Sequence, residues 1–264
     1  MKLLFIVIFL SLVSSFAAAK SYQAQNFKSS ASQVSLIELY TSEGCSSCPP
    51  ADHWLTTLLE KDNLWRDFVP VAFHVDYWDY IGWKDIYAKK KFSERQRLYS
   101  LEYRERTVYT PGVRAEGREW RHWRRANLGK LADVDRQKVG VLNVDIADDG
   151  SFKATFDHSQ QGKLALENKG GSDVDSGSKT KPYFLTVALL GIGIKTDVKR
   201  GENAGKTLQH DFIVLDSIDY EMNNSAWQGK LPQSDVKAPR YAIAAWVSSN
   251  TSLNPIQALG GYLD

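Results

Sequence analysis

Cysteine is almost absent from this chain: 264 residues contain two, Cys45 and Cys48. One pair cannot hold a chain of this size together, so stability must come from a packed core, for which Trp, Tyr and Phe at 12% supply ample material. Charge of one sign is missing too, since 33 Lys and Arg stand against 31 Asp and Glu. Without a strong field there is no electrostatic basis for a nucleic-acid or anionic-membrane partner. Past residue 19 no apolar run is long enough to span a bilayer. The second half of the chain lacks a recognisable nucleophile, phosphate loop or metal-ligand cluster.

What is present begins with a compartment signal. Lys2 precedes an apolar stretch over 3–13, and the small-residue run Ser14, Ser15, Phe16, Ala17, Ala18, Ala19 follows it. This is the pattern of a secretory signal peptide over residues 1–19. Its removal takes away Lys2 and no acid, leaving one more basic than acidic residue. The protein is expected to be exported, periplasmic or secreted, with no stable membrane anchor after cleavage. No cysteine stands at the cleavage site to carry a lipid. In such an oxidising space a cysteine pair persists as a disulfide. Residues 20–32 are polar and read as a lead-in.

The two cysteines lie in Thr41-Ser42-Glu43-Gly44-Cys45-Ser46-Ser47-Cys48-Pro49-Pro50. Residues 34–40 before them read as a strand, and residues 51–61 after them, with Trp54, Leu55, Leu58 and Leu59 at helical spacing, read as a helix. Gly44 supplies a permissive backbone for the turn, and two prolines fit the first turn of a helix. Cys45, at or just before the helix N-terminus, is the expected attacking thiolate, and Cys48 the resolving partner. The alternative is a structural disulfide.

Residues 68–77 read as a second buried strand, so strand, helix and strand form a βαβ unit with parallel strands. Ligands meet such a sheet at the carboxyl ends of its strands, which brings His74, Asp76 and Trp78 towards the cysteines as possible modulators. His74 and Asp76, two apart on a strand, are expected on one face. Residues 86–106 read as a charged, solvent-facing helix or pair of helices. Over 114–130, Arg114, Arg118, Arg121, Arg124, Arg125 and Lys130 interleave with Trp120 and Trp123. Because Glu116 and Glu119 dilute the charge, this is a solvated surface rather than a nucleic-acid site. Residues 127–138 read as a connection.

The strings ELYTSEGCSSCPPAD, FHVDYWDYIGWKD, VYTPGV and RGENAGKTL resemble a bacterial family of secreted thioredoxin-like proteins whose domain has no known function. The resemblance spans nearly the whole mature chain. It implies a thioredoxin-like fold, export, and redox positions at Cys45, Cys48 and Pro111. In that fold a cis-proline stands opposite the cysteine pair, and Thr110-Pro111 is positioned in the chain to be that element. It supplies no substrate. Arg114 and Ala115 replace larger apolar residues after the proline, so the strand there is expected at an edge or distorted.

Beyond residue 138 the pattern turns to strands without helices: 139–147 and 151–157 as a hairpin, then 182–194, 207–220, 241–247 and 256–263. Residues 158–181 read as a polar loop, and 200–206 as a turn. His210 and Asp211, adjacent on a strand, face opposite sides. The expected fold class is α/β, a thioredoxin-like domain over 33–137 followed by a mainly antiparallel β domain over 138–264 that closes one side of the cysteine cleft.

Three functions fit these residues. The first is a thiol–disulfide oxidoreductase acting on protein or small-molecule thiols and disulfides, with no cofactor. The second is a copper-binding or copper-delivery protein using Cys45, Cys48 and His74. The third is a binding module with a structural disulfide.

Overall fold

The computed structural model describes residues 22–125, 136–158, 183–221 and 226–263. The expected signal segment, most of the 127–138 connection and the polar stretch from 159 lie outside the described residues. In chain order the elements are β1 (Gln25–Lys28), β2 (Ser35–Thr41), α1 (Pro49–Thr56), β3 (Phe68–His74), α2 (Lys90–Glu102), β4 (Gly112–Ala115) and β5 (Arg118–Glu119). There follow β6 (Val141–Ile146), β7 (Ser151–Asp157), β8 (Tyr183–Ile192), β9 (Ile194–Asp197), β10 (Thr207–His210) and β11 (Ile213–Glu221). The last are β12 (Ala226–Lys230), β13 (Arg240–Ser249) and β14 (Pro255–Leu263). Short 3-10 turns cover Thr57–Glu60, Asp76–Ile81 and Trp123–Arg125. No helix among the described residues is long and apolar enough to cross a membrane.

The expected α/β fold, with its thioredoxin-like domain and separate antiparallel domain, is not what the chain builds. Among the described residues strand makes up 45% against 17% helix, in three sheets. The largest sheet has the order β14-β13-β8-β11-β3-β2-β4-β5, so strands from both sides of position 138 share it. The join is at the free edge of β3, where Ile213 of β11 lies beside Ala72 and the Ala72 N–H reaches Phe212 O at 2.8 Å. An unpaired strand edge carries a row of free N–H and C=O groups, and a strand from anywhere in the chain can satisfy them. Local periodicity cannot say which strand does so.

Within this sheet the βαβ unit is present: β2 and β3 pair in parallel from Ser35–Phe68 to Thr41–His74. All seven residues of β2 are buried, because β3 and β4 flank it and both its faces are covered. That burial includes Glu38, fully buried, which accepts from Arg95 Nε at 2.8 Å, Tyr40 OH at 2.8 Å and Tyr99 OH at 2.7 Å. A buried carboxylate needs this complete set of donors, and here the set clamps α2 onto β2. Arg114 of β4, nearly buried, donates to Gly117 O at 3.0 Å, pairs with Glu105 and lies over the Tyr99 ring.

The period-2 alternation of the later strands divides two cores. Ala188 and Leu190 of β8 with Ala242, Ala244 and Trp246 of β13 face the β2, β3 and helix side. Leu185, Val187 and Leu189 with Ile243, Ala245 and Val247 face the other side, where the sheet β1-β6-β7-β12 covers them. The expected strand over 207–220 is broken at Asp211 and Phe212, the latter with φ 59°. Its first part, β10, pairs with β9 as a separate two-stranded ribbon.

Candidate functional site

The cysteine loop begins where β2 ends. Thr41 O accepts the Val75 N–H at 2.9 Å, and the Cys45 N–H turns back to Ser42 O at 3.1 Å. Gly44 is needed for space rather than for a left-handed backbone: a Cβ there would lie 3.0 Å from Trp78 Cβ. Cys48 is the N-cap residue of α1, with Pro49 and Pro50 in the first turn, and its carbonyl accepts from the N–H groups of Ala51 and Asp52. Cys48, not Cys45, therefore stands at the helix end. The two are joined by a disulfide, with Cα atoms 5.4 Å apart. Cys45 is 1% exposed and Cys48 0%, while Ser46 and Ser47 between them are exposed.

Beside this loop lies a buried group of titratable side chains from five segments. His74 Nδ1 sits 2.7 Å from Asp85 Oδ2, which also accepts the Glu43 N–H at 2.9 Å. Glu43 Oε2 accepts from Trp83 Nε1 at 2.7 Å, and Glu43 Oε1 lies 3.3 Å from His210 Nε2, too misaligned for a hydrogen bond. Thr41 donates to Asp52 Oδ2 at 3.2 Å, and the His74 and His210 rings meet edge-on at 4.9 Å. Burial pushes His74 down, but the charge and hydrogen bond of Asp85, with Asp52 and Glu43 adding, raise it to about 9. Burial likewise opposes ionisation of Asp85, yet His74 holds its carboxyl below the usual range. Burial raises Asp52, with His210 and His74 opposing.

Of the expected modulators, His74 and Asp76 do not form a pair. β3 stops at His74 and Asp76 opens a 3-10 turn, so the alternation rule lapses between them. Asp76 instead takes the hydroxyl of Ser93 in α2. Trp78, half-buried, packs on Gly44 and donates Nε1–H to Thr110 Oγ1 at 2.7 Å. The Thr110–Pro111 bond is cis, and Gly112 lies opposite Tyr40, so Pro111 stands at the β2 end that leads into the cysteine loop. Among the described residues, no three His, Cys, Asp or Glu side chains are arranged to hold a metal ion.

Sequence reasoning missed the contribution of the second half. Asn203, fully buried in the loop between β9 and β10, donates Nδ2–H to Glu43 O at 2.8 Å and Cys45 O at 2.9 Å. Its neighbour Glu202 accepts the Ser46 N–H at 3.1 Å. Asp211 takes the Thr56 hydroxyl at 2.8 Å and the Gly193 N–H at 2.7 Å. The one signal for these residues was the string RGENAGKTLQHD, which reads locally as no more than a turn and a strand.

A family model described as Protein of unknown function (DUF1223) matches residues 36–248. The chain belongs to this family. The matched span contains both the cysteine loop and the Asn203 and His210 segment that closes on it, so the family match covers the whole site. The protein is similar to two solved structures. Protein AGR_C_4864 from Agrobacterium tumefaciens is 26% identical with a TM-score of 0.57, over 88% of this chain and 94% of that one. HBP35 of Porphyromonas gingivalis is 14% identical with a TM-score of 0.54, over 88% and 76% of the two chains, a likeness of fold alone. A search of curated proteins returned no match.

Proposed function

We propose that this member of the family is an exported thiol–disulfide oxidoreductase acting through Cys45 and Cys48. The observation that carries the reading is a disulfide between residues three apart, in the loop that runs from a buried strand to the N-cap of a helix, with five buried titratable groups beside that loop. A bridge closing so short a loop adds little to the stability of a chain this long, whereas one thiolate can readily attack, and the other resolve, a mixed disulfide. The signal-like segment over 1–19 supports export to an oxidising compartment. Substrates are protein or small-molecule thiols and disulfides, and Trp78 and Pro111, at the same end of the sheet, line the approach.

Thiol trapping of the protein equilibrated against glutathione buffers tests this. A reversible transition within roughly −120 to −270 mV is expected. The near-complete burial of both cysteines favours a second reading, a structural bridge. A disulfide that stays closed below about −300 mV would establish that reading and overturn the first.

A further inference from the structure

Glu43 from the cysteine loop, Asp52 from α1, His74 from β3, Asp85 from the segment before α2 and His210 from β10 are each no more than 6% exposed. Fully ionised, they set three carboxylates against two imidazolium ions. An excess charge away from water is costly, so the number of protons in this cluster must respond to any new charge beside it. His74 is committed, with Nδ1 on Asp85. His210 is not. Neither of its ring nitrogens makes a hydrogen bond, Nε2 faces Glu43 Oε1, and the ring meets His74 at 4.9 Å and Tyr87 at 6.1 Å. Asp211, next in the chain, is occupied by Thr56 and Gly193. A buried imidazole with no hydrogen bond at either nitrogen is a feature that packing alone does not call for.

Resting on the oxidoreductase reading, we infer that His210 is the proton acceptor that balances the reduced site, becoming imidazolium as Cys45 becomes a thiolate. The step balances. Two reductant thiols, RSH, and the closed disulfide with neutral His210 give RSSR, a Cys45 thiolate, a Cys48 thiol and a His210 imidazolium. Two electrons pass from the reductant sulfurs to the cysteine sulfurs, the protein S–S bond breaks and that of RSSR forms. Of the two protons released, one goes to Cys48 Sγ and one to His210 Nε2, where Glu43 Oε1 faces it. The route joins the two halves of the site: Cys48 caps α1, α1 carries Asp52 and packs on β10, and β10 carries His210. His210 is thus a positioning residue that acts on the sulfur through charge.

The test is the ultraviolet thiolate absorbance of the reduced full chain as a function of pH, in wild type and His210→Gln. Wild type is expected to keep its thiolate well below the ordinary thiol pKa of about 8.5. His210→Gln is expected to show less thiolate at neutral pH than wild type, because the opposite charge is lost. Superimposable profiles overturn the inference. If wild type cannot be reduced and reoxidised reversibly, the oxidoreductase reading fails and takes this inference with it. Should His210→Gln not fold, histidine NMR of wild type decides: the His210 ring must titrate at higher pH in the reduced than in the oxidised protein, and identical titrations overturn the inference.

Discussion

Replacing Asp85 by Asn removes the charge that organises the buried cluster while keeping the side chain's shape. Asp85 Oδ2 accepts from His74 and from the Glu43 N–H, and Oδ1 from the Tyr87 N–H at 3.0 Å. The Asn oxygen can keep part of this set, so the loss falls mainly on His74. Burial alone would push the imidazole down, and Asp85 reverses that, raising it from 6.5 to about 9. Because the folded value lies above the unfolded one, the stabilisation is complete below pH 6.5 and disappears as the pH climbs through about 9. At about 1.4 kcal/mol for each pH unit between them, the pair contributes about 3 kcal/mol at its fullest. The Asp85 carboxyl is shifted the opposite way, so its share is present above its ordinary 3.8 and is lost as the pH falls below it. Both shares are therefore complete between about pH 4 and 6.5. Urea unfolding near pH 6 should find Asp85→Asn less stable by about 3 kcal/mol, and near pH 10 by much less. An equal loss at both pH values, or a loss under about 1 kcal/mol near pH 6, would refute the ion-pair account.

Other contacts give further expectations. Glu38→Ala strands the Arg95 guanidinium and two buried tyrosine hydroxyls, and should cost about 3–5 kcal/mol in a denaturant titration; a loss near 1 kcal/mol would mean that α2 is held some other way. Gly44→Ala forces Trp78 away from the cysteine loop and should lower stability by about 1–3 kcal/mol, whereas an unchanged melting temperature would contradict the close approach. Asn203→Ala leaves the Glu43 carbonyl without its side-chain donor and the Cys45 carbonyl with the Cys48 N–H alone, at roughly 1–3 kcal/mol. It should also speed opening of the disulfide by a small thiol, and an unchanged rate would show that the 200–206 loop does not guard it.

Much of the local structure was legible. Expected strands at 34–40, 151–157 and 256–263 correspond to β2, β7 and β14 within a residue or two, because alternating or continuous apolar runs next to turn residues leave few alternatives. The strand-to-helix junction at the cysteines and the burial of His74 follow from the same patterns. His74 and Asp76 failed as a pair because the end of β3 is set by packing of the 76–81 turn, which spacing cannot foresee. His210 looked idle because its neighbours in space, Glu43 and His74, lie far off in the chain.

The sequence alone determined several of the strands, among them β2, β3, β7, β13 and β14, that the two cysteines lie between the first of these and a helix, and that the second half is rich in β structure. Each rests on interactions within a few residues, and such interactions leave a periodic trace in the sequence. Tertiary structure alone decided that β11 joins β3, so that two expected domains share one sheet. It also decided that Asn203, 160 residues from Glu43 in the chain, closes the cysteine loop and that His210 completes the buried cluster. Those pairings depend on free strand edges and buried polar groups finding partners, and many segments of one chain can satisfy them. Only the packed whole selects one.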